Sequence, residues 1–235
     1  MTHLKTRASQ KALKVHRKED VFIMKSAPGP HGLQASIPLG VLFRNYLGIA
    51  ENRKEVRYIL HNNEVLVDGR RVKDERFPLG LLDIVAISSI DKYFVIMVDN
   101  NARLYPKELD KAKADVKLCK LTGKTVLKGG KLQLNFYDGR NVLVAAKDSK
   151  KYGVGGTAVI KLSDFKITDF IELASGKTAL VAKGRHAGKI GKITEITKSG
   201  LNLRSLTTLE CDGEKVMTNT DYIFIIGEKR LRYDG

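Results

Sequence analysis

The sequence predicts an α+β, multidomain chain. Three observations predict it. Between Ser36 and Ser88, two amphipathic helical periods precede an Asp-Gly turn set among β-prone residues. From Val116 to Thr178, short runs of period two alternate with Gly and Asp turns. From Ala179 onward, apolar runs flank a loop of Gly, Lys, Arg and His. The boundaries implied are a basic arm over 1–35, an α/β module over 36–92, a central all-β domain, read as a small barrel, over 93–178 and a C-terminal unit with a basic tail over 179–235.

The arm carries Lys5, Arg7, Lys11, Lys14, Arg17 and Lys18 and no acid before Glu19. Its few apolar residues keep no period, so it is expected to stay extended by like-charge repulsion and to order against nucleic acid. Val21 to Met24 is a short apolar anchor, and Pro28-Gly29-Pro30-His31 is rigid turn chemistry joining the arm to the first helix. His31 alone makes neither a ligand nor a catalyst.

The first helix has Leu39, Leu42, Phe43, Tyr46 and Leu47 on one face, with Arg44 among them. Pro38 suits a first turn and Gly48 suits a left-handed cap. The second helix opens at Asn52, which with Glu55 forms a variant capping box. Val56, Ile59 and Leu60 form its buried stripe, and Arg53, Lys54 and Arg57 lie near its start. In Glu64 to Val72, a two-residue Asp68-Gly69 turn sets Val65 opposite Val72 and Leu66 opposite Arg71. The tip then projects Arg70 and Arg71, with Lys73 behind. Asp83 to Ile87 reads as the closing strand, with Asp83 a turn or capping residue.

Tyr93 to Val98 is β-prone and stops at Asp99-Asn100-Asn101, and Pro106 to Ala114 is read as a short charged helix. Lys131 to Phe136 alternates, turns at Tyr137-Asp138-Gly139-Arg140-Asn141 and returns as Val142 to Val144. Val154 to Ile160 and Lys166 to Ile171 continue the pattern. In the last segment, Gly184, Gly188 and Gly191 permit tight turns and close backbone approach. Lys183, Arg185, Lys189 and Lys192 supply charge. Asn219 to Gly227 should close the unit, and Lys229, Arg230 and Arg232 form the tail.

The whole chain has 235 residues and a formal charge of +16, a balance that favours a polyanionic partner. Hydrophobic content of 43% and a mean hydropathy of −0.21 fit a folded soluble protein. No apolar run approaches ~18 residues, so no membrane span is expected. The N-terminus lacks the apolar core of a secretory signal. Cys119 and Cys211 belong to no C-x-x-C pair and are expected to be reduced and buried. Thr122 to Thr125 and Ser175 to Thr178 contain Gly-Lys-Thr, but Leu118 and Ile171 stand where a P-loop needs glycine. No residues pair a nucleophile with a base, so no enzyme, cofactor or small-molecule substrate is expected.

The 36–92 segment resembles the S-four RNA-binding module. The resemblance rests on Asn52-Arg53-Lys54 at the second helix start, Val65-x-Val67-Asp68-Gly69-Arg70-x-Val72 and the late Asp83-x-Val85 strand. It implies that Asn52, Arg53, Lys54, Arg57, Arg70, Arg71 and Lys73 face RNA phosphates. Acids in the same stretch (Glu51, Glu55, Glu64, Asp68, Asp74, Glu75, Asp83) temper that charge. On this reading, replacing Arg53 and Lys54 by Ala should weaken RNA binding and leave the melting temperature nearly unchanged. The Ala179 to Ile193 stretch resembles a KOW motif, an SH3-like barrel whose basic glycine loop lies against RNA or a protein neighbour.

Taken in order, arm, module, β domain and barrel are similar to the S-four-e family of archaeal and eukaryotic small-subunit ribosomal proteins. His3-Leu4-Lys5, Gly29-Pro30-His31, Lys120 beside Cys119, Lys166 to Ile171 and Ile223 to Gly227 carry the match. Thr6, Gln10 and Leu13 stand where that family has Arg, Pro and Trp. The short extent after Gly227 suits an archaeal member. The resemblance implies a structural role on the ribosome, with small-subunit rRNA and neighbouring ribosomal proteins as partners and a monomer when free. A KOW-containing elongation or RNA-processing factor and an RNA-modifying enzyme are the alternatives. A pseudouridine synthase would need a further catalytic domain, for which little chain is left after Ser88.

Overall fold

The computed structural model describes residues 3–145, 149–197, 205–211 and 213–227. The expected basic tail of Lys229, Arg230 and Arg232 lies outside them. The chain forms two compact units, Met1–Asp99 with Arg103–Lys117, and Asn100–Ala102 with Leu118–Gly235.

In the first unit the chain runs β1 (Leu4–Lys5), β2 (Phe22–Ile23), β3 (Ile37–Pro38), α1 (Leu39–Val41) and α2 (Arg53–Asn62). It continues through β4 (Val65–Val67), β5 (Arg70–Arg71), β6 (Pro78–Leu79), β7 (Ile84–Ile87), β8 (Lys92–Val98) and β9 (Leu104–Leu109). A five-stranded sheet has the order β5-β4-β7-β8-β9, and β1–β2 and β3–β6 form two small antiparallel pairs. After α1 the helix widens into a π turn over Leu42–Tyr46, where Leu47 N–H donates to Leu42 O at 3.0 Å. Leu39, Leu42 and Phe43 are fully buried, and Gly48 ends the helix at a φ of +62°, where a Cβ would be strained. Pro38 stands one position earlier than a first-turn proline. Its extended backbone lets it pair with Pro78.

Three expectations are corrected in this unit. The residues of β8 and β9 are expected to open the central domain, but β8 hydrogen-bonds to β7 and β9 to β8, completing the first sheet. Pro106 to Ala114 is helical only over Lys111–Lys113, a single charged 3₁₀ turn. Its first part is β9, an edge strand, so Pro106 tolerates a place opposite Ile96 without breaking a ladder on its free side. The arm is not an extended polycation either. Thr6, Gln10, Ala12 and Leu13 are buried, Gln10 Nε2 donates to Ser36 O at 3.3 Å, and Leu104 N–H donates to Ala12 O at 2.9 Å. Its buried residues are too few and irregular to make a periodic signal, but they need no core of their own. They dock on one already formed.

The second unit starts with β10 (Val116–Leu127), whose first two residues belong to the first unit. Then follow β11 (Lys131–Phe136), β12 (Asn141–Ala145), β13 (Thr157–Lys161) and β14 (Ile167–Ile171), in the sheet order β12-β11-β10-β13-β14. Cys119, Leu121, Leu132, Leu134, Phe136, Ala158 and Ile160 form its core. Strands β15 (Thr178–Val181), β16 (Ile190–Thr197), β17 (Leu206–Cys211), β18 (Glu214–Asn219) and β19 (Ile223–Ile225) make an antiparallel sheet ordered β18-β17-β16-β15-β19. Its core is Ala179, Val181, Ile193, Leu209, Cys211, Val216, Ile223 and Ile225. At Gly191 a Cβ would lie 2.3 Å from Cys211 Sγ and 2.6 Å from Glu210 O, so only glycine lets β16 approach β17 here. Both cysteines are free thiols and buried.

Candidate nucleic-acid interface

The N-terminus of α2 is built as the capping pattern predicts, with one change. The Asn52 side chain accepts from Lys54 N–H at 2.9 Å and Glu55 N–H at 3.0 Å. The Glu55 carboxylate returns to Glu51 N–H at 2.8 Å, one residue upstream of the expected donor. Asn52 is therefore an exposed cap. Lys54 projects beside it.

Arg53 and Arg57 are committed elsewhere. Arg53 Nε donates to Glu75 Oε1 at 2.7 Å, and Arg57 Nη2 donates to the same oxygen at 3.0 Å. Glu75 is 4% exposed. Burial alone would raise its carboxyl, but the hydrogen bonds from Arg53 and Arg57 outweigh burial and hold it below its usual value. That folded-state depression stabilises the unit above the unfolded carboxyl pKa and is lost as pH falls through the folded one. The expectation that Arg53 and Lys54 can be removed together at no cost in stability is thereby corrected. Arg53→Ala should lower the melting temperature by about 2–4 °C, a cost near 1 kcal/mol, because both guanidinium groups are half exposed and Arg57 remains. Lys54→Ala should leave it within a degree or so. Thermal unfolding of the two single variants separates these outcomes, and equal melting temperatures would remove the clasp from the account.

The hairpin forms in the expected register. Asp68 and Gly69 have φ of 50° and 75°, Leu66 faces Arg71, and Val72 N–H donates to Val65 O at 3.0 Å. Arg70, Arg71 and Lys73 are exposed at its tip. Arg71 Nη2 reaches the carbonyl of His61 at 3.3 Å, which ties the hairpin to the C-terminal turn of α2. The hairpin tip and the end of the second helix are thus joined.

On the arm, Lys5, Arg7, Lys11, Lys14 and Lys18 are exposed and Arg17 is half-buried, its Nη2 donating to Gln10 O at 3.4 Å. Arg44 is half-buried, 3.9 Å from Asp20. A cavity of about 480 Å³ lies between arm and first helix, lined in part by Lys14, His16, Arg17, Tyr46 and Arg103. Tyr46 accepts from Lys14 N–H at 2.7 Å, and burial raises its phenol. Sequence reasoning missed Arg103 here, because its place depends on β9 running beside the arm.

In the second unit the glycine loop joins β15 to β16. Gly184 and Gly188 have φ of 91° and 81°, and Gly188 N–H and Lys189 O both bond Val181. Lys183, Arg185 and Lys192 are exposed. Lys189 is paired with Glu214 at 3.2 Å, and Lys183 Nζ stands 5.8 Å from the Tyr137 ring centre.

Comparison with known proteins decides what this arrangement belongs to. Residues 90–167 match the model of the ribosomal family S4e. The small ribosomal subunit protein eS4 of Nanoarchaeum equitans is 39% identical over 227 residues, covering 96% of this chain and 95% of the relative. That of Methanosphaera stadtmanae is 37% identical over 228 residues, with 97% and 93% covered. The chain belongs to the eS4 family. The crystal structure of the 30S ribosomal protein S4e from Thermoplasma acidophilum matches with a TM-score of 0.72 at 26% identity, covering 85% of this chain and 99% of that one. The eS4 family is a structural family of the small ribosomal subunit, not a family of enzymes, and these relatives are archaeal, as the archaeal reading expects.

The eS4 chain also buries charge that sequence reading did not find. Lys117 is 2% exposed and donates to Asp68 Oδ2 and Asp83 Oδ1, both at 2.6 Å. Asp83 also accepts from Gly80 N–H at 2.7 Å and stands 2.9 Å from His31 Nε2. Asp83 is thus the turn residue expected and an internal counter-ion besides, and His31 is its buried partner. In the second unit, Lys120 Nζ donates to the carbonyls of Asp221 and Thr220 at 2.9 and 3.1 Å. Burial is the main reason its amine falls to about 8. Among the described residues no group of three or more His, Cys, Asp or Glu is placed to hold a metal ion.

Proposed function

We propose that this eS4-family chain is a structural constituent of the small subunit that binds its rRNA by neutralising backbone phosphates. The observation that carries the reading is an excess of +16 whose exposed cations gather at two places: Lys54, Arg70, Arg71 and Lys73 around α2 and its hairpin, and Lys183, Arg185 and Lys192 around the glycine loop. Cations fixed in register release counterions at little ordering cost, and recognition follows RNA shape more than base identity. Asn52, Arg53 and Arg57 contribute by holding the helix start and the Glu75 clasp, with their outer faces still open to phosphate. Arg44 and Lys189, each beside an acid, are minor contacts.

The 36–92 segment acts as an S-four-like module extended by β8 and β9. The 179–227 sheet is a KOW-like SH3 barrel presenting its basic loop. The chain is monomeric when free, contacts neighbouring ribosomal proteins and resides on the ribosome. The elongation-factor and modifying-enzyme readings are not favoured by relatives named as ribosomal subunit proteins. Sucrose-gradient sedimentation of the tagged chain from cells tests the reading. It should travel with the small subunit through moderate salt. Travel with polymerase, or as free protein, would overturn it.

A further inference from the structure

The outward face of α2 carries an aromatic ring that the phosphate reading does not use. Tyr58 is 70% exposed, although the same helix buries Val56 and Leu60 completely. Lys54, Tyr58 and His61 follow the spacing i, i+4, i+7, so they form one stripe on the solvent side. Arg57, the residue before it, is turned to Glu75. Beyond His61, the Arg71 guanidinium is anchored on that residue's carbonyl. The exposed ring thus belongs to a stripe with Lys54 one turn toward the N-terminus and, beyond His61, an arginine held at that residue's carbonyl. Phe22, the other exposed aromatic side chain of the first unit, is instead covered on one side by His3 at 5.4 Å.

We infer that Tyr58 is a stacking platform for one unpaired RNA base, with Lys54 and Arg71 taking the phosphates on either side of that nucleotide. This deepens the proposed RNA interface on α2 and rests on it. A base laid on the phenol ring removes two apolar faces from water, and any base has such a face. A paired base inside a duplex has both faces already stacked. The platform therefore selects a bulged, looped or single-stranded nucleotide, and α2 reads whether a base is free. The flanking cations would hold a duplex and a single strand alike, so the ring alone supplies that selection.

The test uses the full chain, with fluorescence anisotropy on two labelled probes at fixed salt: a short single-stranded oligoadenylate and a blunt RNA duplex of equal length. Tyr58→Leu should weaken the single strand roughly five- to hundredfold, the usual worth of one aromatic stack, and change duplex binding less than about twofold. Tyr58→Phe should keep wild-type affinity for both probes. Lys54→Ala should weaken both. If Tyr58→Leu binds the single strand as wild type while Lys54→Ala is impaired, the stacking site is overturned and the phosphate interface stands. If both variants bind as wild type, the interface on α2 falls with it. Equal losses on the two probes for Tyr58→Leu would also overturn the platform. Unchanged melting temperature in each variant ensures that binding is what is read.

Discussion

Lys117→Met is expected to destabilise the first unit by about 3–5 kcal/mol, with a fall in melting temperature on the order of 10 °C. The methionine fills similar volume, so the loss is not a cavity effect. It takes from Asp68 and Asp83, which are 5% and 1% exposed, the ammonium they share. Their two short bonds to Lys117 join residues 49 and 34 positions apart, from the hairpin turn, the closing strand and the first residues of β10. The pH dependence gives the sign. Burial alone would raise the Asp83 carboxyl, but Lys117 and His31 outweigh it and hold it well below the carboxylate range. Its contribution is present above the unfolded pKa and lost as pH falls through the folded one. Asp68 goes the other way. Burial raises its carboxyl, Asp83 adds to this, and Lys117 does not fully offset it, so its folded form holds a proton more tightly than the unfolded chain does. That contribution declines as pH rises. In Lys117→Met the deficit should shrink toward acid pH, where neutral carboxyls need no counter-charge, and adding Asp83→Asn should recover part of it. Urea unfolding across pH measures this. A deficit independent of pH, with no recovery from Asp83→Asn, would mean that packing and not charge is at stake.

The second large effect is on RNA. Replacing Lys183, Arg185 and Lys192 together by Ala should weaken binding to a small-subunit rRNA fragment roughly hundredfold at about 0.1 M salt, and flatten the log K against log salt slope by about 2. Both figures follow from three phosphate contacts at ~0.7 counterions each. Lys189 is left in place because it already faces Glu214. All three target side chains are exposed, so the melting temperature should hold. Anisotropy over a potassium chloride series reads both numbers. A parallel downward shift with no change of slope would mean that the loop does not touch phosphate.

What the sequence by itself determined is what neighbours in the chain decide. The α2 cap, its buried stripe, the Asp68-Gly69 turn, the β11–β12 hairpin and the glycines of the basic loop all follow from spacing over ten residues or fewer. Those signals were enough for the α+β class and for most exposed cations. The first helix was legible in its buried face but not in its π turn, which depends on a backbone hydrogen bond that periodicity does not encode.

Tertiary structure alone decided which charges are spent inside the fold. Nothing local marks Lys117 as buried and Lys113 as half exposed, or turns Arg53 and Arg57 onto Glu75 while Lys54 faces water. Each outcome depends on an acid brought from a distant strand or turn, and a buried charge is tolerated only where such a partner arrives. The same reason hid the docking of the arm and the pairing of β8 and β9 with the first sheet. Strand partners are chosen by long-range burial, and the amino-acid pattern names a strand without naming its neighbour.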